Sequence, residues 1–418
     1  MSSLEVWMHG ELCGTVTQTP QGDLNFKYAE SYEEGSTPVS LSMPVGYLSY
    51  PKSRILPFLQ GLLPDSESAL AAIAKRFGAN ARNPFSLLAH IGHDVAGALQ
   101  IGKAGFQNDH EPDATPAPLS DRQISELLHH KINEYEDATA GAAVGGLLSL
   151  AGAHPKLALR KNSDGHFTLP TRELASTHII KPVPERWQNL DVVEHQTMLA
   201  AASLGLNVAK TEIASIGGFR VFVAERFDRE TDSAGKVTRV HQEDFCQALA
   251  VDPAKKYQRE DGGPGVAAIA ELFRSIAAVE DRKFCADSFF EGLAFNVLAR
   301  CTDAHGKNYS LALAGNRVRM TPLYDLASTV LYSGQTTYSA MSIGGEYRFE
   351  GITSKGWQSE IARLGVDPDW ANERLTFLRY NLLEAFSQAG AKIRAATENS
   401  LISRTTNALT DTLAQAVS

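Results

Sequence analysis

Residues 299–313 read ARCTDAHGKNYSLAL, and this stretch decides the fold expected for the chain. Asp303, His305, Lys307 and Asn308 lie within six residues, after an apolar run typical of a helix and before one typical of a strand. Polar groups beside a buried element cost free energy unless they are hydrogen-bonded or bind a ligand. The stretch therefore predicts a functional loop between a helix and a strand.

A second carboxylate follows this loop after a predicted β-hairpin. The hairpin spans residues 309–320, and Asp325 comes next, in RMTPLYDLAST. Asp303 and Asn308 have the Asp-x-x-x-x-Asn spacing of a kinase catalytic loop, in which the Asp orients the acceptor hydroxyl. In that arrangement the Asn and a later Asp hold Mg²⁺. Each feature alone is a weak signal, but their order predicts a phosphotransfer site with Asp303 as base and Asn308 and Asp325 as metal ligands.

A run of small residues lies upstream, between two predicted strands in LLSLAGAHPKLAL at residues 147–159. Gly152 permits positive φ, and Ala151 and Ala153 leave room for backbone N–H groups to approach phosphate oxygens. An ordinary hairpin turn would explain the same residues without a ligand. The run is therefore a candidate phosphate-binding loop only in combination with the other features.

Three further positions fit a nucleotide site. Lys181 ends the apolar strand THIIK and needs an anion such as an ATP phosphate if it is buried; an edge lysine with a solvated amine is the alternative. Glu194, on the following predicted helix, is a weaker candidate for orienting Lys181. Backbone groups of residues 225–227, in VAERFDR, are expected at the adenine edge, and Phe227 packs either on the adenine or in the core.

The composition of the whole chain indicates a globular protein with more than one domain. The chain has 418 residues, of which 43% are hydrophobic and 21% charged, and its formal net charge is −9. This net charge disfavours a protein that wraps nucleic acid by itself. Because no apolar run reaches the ~20 residues of a membrane span and no secretory leader is evident, we expect a cytoplasmic protein. The four cysteines lack metal-binding spacing and are expected to be reduced.

The order of predicted elements divides the chain into three segments. Residues 1–105 read as an N-terminal β/α subdomain, in which PVSLSMPV at 38–45 is predicted to be a strand. Residues 106–230 form the second segment, which begins with a polar, proline-bearing linker and contains five predicted strands and one helix within residues 141–230. Residues 231–418 are mainly helical. A small β-rich lobe followed by a larger helical lobe is the layout of a protein-kinase-like fold. We therefore predict an α+β, two-lobed kinase-like fold with an added N-terminal subdomain.

The chain resembles the HipA serine/threonine kinases of bacterial type II toxin–antitoxin modules over nearly its full length. Motifs similar to those of the family occur in order: GLLPDS, SLAGAHPK, THIIKP, VAERFDR, KYQREDGGPG, TDAHGKN, TPLYDLAS and AMSIGG. The resemblance implies Asp303 as the catalytic base, with Mg²⁺ at Asn308 and Asp325. It also implies contacts to ATP from the following residues: Ala151, Gly152, Ala153, His154, Pro155, Lys156, Lys181, Glu225, Arg226, Phe227, His305, Gly306, Lys307, Asn308 and Asp325.

The resemblance also implies regulation and partners. Ser149 matches the family's inhibitory autophosphorylation site, where a phosphate would be repelled by the bound triphosphate and would move the loop. This chain has His154 where the family is expected to have glutamine, and the roles of His154, His305 and Lys307 stay open. Family members phosphorylate aminoacyl-tRNA synthetases, arrest growth and induce dormancy. They are held by a helix-turn-helix antitoxin of the HipB kind that binds operator DNA.

Two other functions stay compatible with these residues. A small-molecule or lipid kinase on the same fold would use Asp303, Asn308 and Asp325 in the same roles. A catalytically weak co-repressor partner of a DNA-binding antitoxin would need none of them, so their presence together with Lys181 argues against it.

Overall fold

The computed structural model describes residues 1–107, 116–136, 152, 154–183, 188–332, 337–397 and 399–417. Its contacts divide the chain into two compact units. The first unit consists of residues 1–184, 214–254 and 312–316, and the second of residues 185–213, 255–311 and 317–418. The three-segment division expected from the sequence stays a prediction.

Most strands are short, and the longest helices lie in the C-terminal half. The strands are β1 (Ser2–Met8), β2 (Glu11–Gln18), β3 (Leu24–Tyr28), β4 (Tyr50–Pro51), β5 (Leu99–Lys103), β6 (Leu157–Lys161), β7 (Phe167–Thr168), β8 (His178–Pro182), β9 (Thr211–Ile216), β10 (Phe219–Glu225), β11 (Arg229–Thr231), β12 (Val237–Arg239), β13 (His241–Asp244), β14 (Ser310–Ala314), β15 (Arg317–Met320), β16 (Tyr338–Ile343) and β17 (Glu346–Arg348). The helices are α1 (Lys52–Gly61), α2 (Glu67–Phe77), α3 (Pro84–Ile91), α4 (Asp121–Glu136), α5 (Leu190–Ser203), α6 (Phe245–Ala248), α7 (Gln258–Asp261), α8 (Val266–Ser275), α9 (Val279–Leu298), α10 (Ser354–Leu364), α11 (Pro368–Ala395) and α12 (Ser400–Val417).

The N-terminal part of the first unit is a five-stranded sheet covered by helices. The strand order is β4-β3-β2-β1-β5, and every pair is antiparallel. Alternate residues of β1, namely Leu4, Val6 and Met8, are buried, as expected for a sheet with one covered face. They belong to one apolar core with residues of α1, α2 and α3, such as Phe58 and Leu88.

The strand predicted at residues 38–45 was wrong, because the edge strand forms at Tyr50 instead. Side chains, among them those of Tyr28 and Glu243, form hydrogen bonds with backbone groups of the 38–45 segment. The Tyr28 hydroxyl donates to the Met43 carbonyl oxygen at 2.5 Å and accepts from the Val39 N–H at 2.9 Å. A segment whose polar groups are paired in this way needs no neighbouring strand.

A second five-stranded sheet has the order β7-β6-β8-β10-β9. Its core contains Leu157, Ile180 and Val223, together with Ile124 and Leu128 of α4. Strand β8 pairs with β6 on one side and with β10 on the other. The strand that ends in Lys181 and Pro182 is therefore an interior strand.

The second unit is built mainly from helices, and α11 contacts α5, α9 and α12. Val192 of α5 shares a buried cluster with Ile393 and Ile402. The buried Gln196 side chain donates from Nε2 to the carbonyl oxygens of Phe386 at 2.9 Å and Thr406 at 3.1 Å. These contacts fix α5 against α11 and α12.

All four cysteines are buried, and none of them forms a disulfide bond. Burial raises the pKa of the Cys301 thiol above its ordinary range, so this thiol is not activated as a nucleophile.

Among the helices in the described ranges, none has both the length and the apolar composition that crossing a bilayer requires.

Candidate active site

The loop around Asp303 follows α9 and precedes β14, in agreement with the predicted helix, loop and strand. Hydrogen bonds within the loop fix its backbone. The Asp303 carbonyl oxygen accepts from the His305 N–H at 2.8 Å and from Asn308 Nδ2 at 2.6 Å, and the Asn308 N–H donates to the His305 carbonyl at 2.9 Å. The two residues predicted to be functional are thus joined directly within one closed loop.

The side chains of this loop differ sharply in exposure. The Asp303 side chain is 57% exposed, whereas His305, Lys307 and Asn308 are buried. Asp303 Oδ1 accepts a hydrogen bond from the Tyr257 hydroxyl and lies 3.9 Å from His305 Nε2. An accessible carboxylate on a fixed loop is placed to accept a proton from an incoming hydroxyl group.

Asp325 is held beside the catalytic loop by its neighbours in sequence. The Tyr324 hydroxyl donates to the Lys307 carbonyl at 2.7 Å, and Thr329 Oγ1 donates to the Arg300 carbonyl at 2.9 Å. The residues before and after Asp325 in sequence are thus bonded to the C-terminal part of the loop, at Lys307, and to the residue that precedes it, Arg300. Asp325 itself has a φ of 53°, a left-handed conformation that costs free energy and that Asp tolerates better than most residues.

The donor atoms of Asn308 and Asp325 fit Mg²⁺. Both side chains supply hard oxygen ligands, which this ion prefers, and Mg²⁺ commonly takes its other ligands from water and phosphate. Because Asn308 Nδ2 donates to the Asp303 carbonyl, the amide oxygen is the atom left for a metal. In the described part of the chain, no group of three or more His, Cys, Asp or Glu residues has metal-binding geometry.

Helix α5 carries Glu194, which is buried, and contacts the segment after Asp325. The Ser328 N–H donates to Thr197 Oγ1 at 3.2 Å, and Thr197 lies one helical turn after Glu194. The position of Glu194 is therefore coupled to that of the segment carrying Asp325. Its proposed role in orienting Lys181 stays a prediction.

In the first unit, the glycine-containing turn brings a lysine against Gly152. A Cβ at Gly152 would lie 2.3 Å from Lys156 Nζ, and the glycine has a φ of +122°. The Gly152 carbonyl accepts from the Asp65 N–H at 3.1 Å. The amine lies at the end of a flexible side chain and could move, so it is the positive φ that favours glycine at this position. His154 is half-buried and Pro155 and Lys156 are buried. Three positions of the prediction lie outside the described residues: Ser149, Ala151 and Ala153.

Lys181 is half-buried on the interior strand β8, opposite Phe222 of β10. Its Nζ lies 5.1 Å from the centroid of the Phe222 ring, within the range of a cation–π interaction. The alternative, a lysine on an edge strand, does not apply, because β8 lies between β6 and β10 in the sheet. Contact of Lys181 with phosphate stays a prediction.

The Arg226 side chain is committed to partners within the protein. Its Nε and one terminal nitrogen donate to the two Asp228 carboxylate oxygens at 2.9 and 2.8 Å. The remaining bonds go to Ser176 Oγ at 2.8 Å and the Val95 carbonyl at 2.9 Å. The guanidinium therefore supports the structure. Glu225 is exposed and Phe227 half-buried, and the contact with adenine expected from backbone groups of residues 225–227 stays a prediction.

Arg226 belongs to a larger buried ionic cluster. Asp94 pairs with Arg229 at 3.0 Å, and Asp228 also accepts from the Gly97 N–H at 2.7 Å. Burial alone would raise the pKa of Asp228, but the Arg226 and Arg229 guanidiniums outweigh it and hold that pKa well below its usual range. The cluster joins residues near β5 to the segment that follows β10, within the first unit.

Sequence reasoning gave no role to two tyrosines of the site, Tyr257 and Tyr324. Both lie in motifs that carried the family resemblance, KYQREDGGPG and TPLYDLAS. Their hydroxyl groups contact Asp303 and the Lys307 carbonyl, which lie 46 and 17 residues away in the chain. The motifs were the only signal in the sequence, since spacing alone does not indicate such contacts.

Comparisons with known proteins identify the family of the chain. A family model described as the HipA N-terminal domain matches residues 4–102, and one described as the HipA-like C-terminal domain matches residues 148–388. The putative kinase Y4mE of Sinorhizobium fredii is 37% identical over 397 residues, which cover 93% of this chain and 91% of that protein. The serine/threonine-protein kinase toxin HipA of Shewanella oneidensis is 29% identical over 369 residues, which cover 86% of this chain and 83% of that protein.

One solved structure has the same fold. It is the complex of HipA, HipB and operator DNA from Shewanella oneidensis, in which a chain matches with a TM-score of 0.83 and 24% identity, covering 99% of this chain and 96% of that chain. The C-terminal family model alone spans more than half of the 418 residues. These matches, together with the α+β kinase-like fold, show that the chain belongs to the HipA family of serine/threonine-protein kinase toxins.

Proposed function

We propose that this chain is an ATP- and Mg²⁺-dependent toxin that phosphorylates serine or threonine on a protein substrate, most specifically an aminoacyl-tRNA synthetase. The observation that carries the proposal is the exposed Asp303 carboxylate on a loop bonded to Asn308 and to both flanks of Asp325. The kinase names of the relatives and the resemblance to the HipA family support the ATP-dependent reaction.

In the proposed reaction, each residue of the loop has a distinct task. Asp303 accepts a hydrogen bond from the substrate hydroxyl and then its proton, while the closed loop keeps the carboxylate in place. Asn308 and Asp325 would hold Mg²⁺, which neutralises charge on the phosphates when it is bound. The Lys156 and Lys181 amines would face the phosphates of the nucleotide. Because phosphoryl transfer requires little covalent chemistry from a protein, such positioning accounts for most of the catalysis.

We also propose a helix-turn-helix antitoxin as the partner of this chain. The support is the HipA neighbour, which was solved with HipB and operator DNA. The net charge of −9 favours an antitoxin that supplies most of the affinity for DNA, because phosphate binding depends on basic residues.

Purified chain incubated with bacterial lysate and ATP radiolabelled on the γ-phosphate should transfer label to protein. Chelation of Mg²⁺ with EDTA should abolish the transfer, because the phosphate charges would no longer be neutralised. Phosphoproteomics after induced expression would identify the substrate. Label found only on a metabolite or lipid would favour the small-molecule kinase instead. No transfer, with growth arrest retained in an Asp303→Gln variant, would favour the co-repressor.

Purified chain incubated with Mg-ATP should also gain a phosphate on Ser149. The family's regulatory serine stands at this position, and a dianion near the triphosphate would be repelled. Phosphopeptide mass spectrometry measures the modification, and a Ser149→Ala variant is the control. Complete absence of phosphate at Ser149 in an active kinase would contradict this part of the proposal.

A further inference from the structure

The segment of residues 255–265 contacts the catalytic loop through both backbone and side chain. The Lys256 carbonyl accepts from the Gly306 N–H at 3.3 Å. Next in sequence, the Tyr257 ring packs edge-on against His305, with ring centroids 4.7 Å apart, and its hydroxyl donates to Asp303 Oδ1. Lys256 and Tyr257 therefore contact three residues of the loop, namely Asp303, His305 and Gly306.

Tyr257 is itself fixed by the turn that follows it. Its carbonyl accepts from the Asp261 N–H at 3.2 Å and the Gly263 N–H at 2.9 Å. A Cβ at Gly263 would lie 2.0 Å from the Lys255 carbonyl oxygen, so only glycine permits this close approach of backbone. Tyr257 precedes the short helix α7 without capping it, and its side chain reaches the catalytic loop instead.

The next residue anchors the segment on its other side. Gln258 Oε1 accepts from the Ser342 N–H at 2.9 Å, and its Nε2 donates to Ser342 Oγ at 3.3 Å. Ser342 lies in β16, within the AMSIGG motif. KYQREDGGPG and AMSIGG, two motifs without a role assigned from the sequence, are thus joined by hydrogen bonds. Together they hold Tyr257, whose hydroxyl contacts Asp303.

We propose that Tyr257 is a positioning residue for the catalytic carboxylate of Asp303. A side chain that is 57% exposed would rotate freely without a partner, and only some rotamers face a substrate hydroxyl. The bond from Tyr257 occupies Oδ1 and leaves Oδ2 to accept from the substrate. This inference rests on the proposed kinase function, because it assigns Tyr257 a role in the reaction that Asp303 would perform.

A Tyr257→Phe variant isolates the hydroxyl group, because it keeps the ring that packs on His305. We expect kcat for protein phosphorylation to fall about ten- to a hundredfold, the range for loss of a hydrogen bond to a charged group. Nucleotide affinity, measured with a fluorescent ATP analogue, and the thermal melting temperature should not change. Tyr380→Phe, at an 87% exposed tyrosine of the same unit, is the matched control and should behave like wild type.

A double-mutant cycle with Asp303→Asn locates the effect. If Tyr257 acts through the carboxylate, Tyr257→Phe should cause little further loss of the residual rate in the Asp303→Asn background. An equal fractional loss in both backgrounds would overturn the proposal, as would a Tyr257→Phe enzyme with wild-type kcat. A fall in kcat that is matched by weaker nucleotide binding or a lower melting temperature would give Tyr257 a structural role and also overturn it. If wild-type chain transfers no label to protein, the proposed function fails first, and the inference fails with it.

Discussion

Replacing Asp303 with asparagine is expected to lower phosphotransfer to protein about 10²–10⁴-fold, the usual contribution of a general base. Asparagine has nearly the same size but cannot take a proton from the substrate hydroxyl. The bonds that close the loop use the backbone carbonyl of Asp303, so the substitution should leave them in place. The measurement is the initial rate of label transfer from ATP to protein at saturating nucleotide.

The matched control is Asp411→Asn, which removes the charge of an exposed aspartate on α12 of the same unit. This control should retain the wild-type rate, and both variants should bind a fluorescent ATP analogue like wild type. Phosphotransfer by Asp303→Asn at close to the wild-type rate would contradict the role of Asp303 as base. Loss of nucleotide binding together with the rate would show that the substitution disturbs more than the chemistry.

Replacing Asp228 with asparagine is expected to destabilise the first unit by about 3–5 kcal/mol, the usual effect of breaking a buried ion pair. The substitution removes one of the two buried carboxylates that pair with both the Arg226 and Arg229 guanidiniums, and leaves only Asp94 to balance their charge. The measurement is the free energy of unfolding from urea denaturation followed by fluorescence. Because the pKa of Asp228 is depressed in the folded state, its contribution is complete above the unfolded pKa of about 4 and is lost as the pH falls.

Asp23→Asn provides the control for this experiment, since Asp23 is an exposed aspartate of the same unit. Its free energy of unfolding should match that of wild type at neutral pH. If Asp228→Asn unfolds at the wild-type urea concentration, the prediction is contradicted, and Asp94 alone suffices to balance the two guanidiniums.

The sequence was most informative where the signal is local. The Asp303 to Asn308 loop, the strands after it and the order of Asp303, Asn308 and Asp325 could all be predicted, because spacing and apolar periodicity along the chain encode them. The short motifs that occur along the chain in the same order as in HipA proteins also indicated the family, and the comparisons confirmed it. The strand at residues 38–45 was wrong because its pattern is strand-like but Tyr28 satisfies its backbone.

The sequence by itself determined the family, the α+β kinase-like fold and the position of the Asp303 loop between a helix and a strand. Only the tertiary structure decided which polar side chains serve the structure and which remain available to a ligand. The guanidinium of Arg226 bonds to Val95, Ser176 and Asp228, two of which lie more than 45 residues away in the chain. Tyr257 reaches Asp303 across a similar separation. Periodicity and caps follow from neighbours along the chain, whereas side-chain hydrogen bonds form between residues that meet only after the chain has folded.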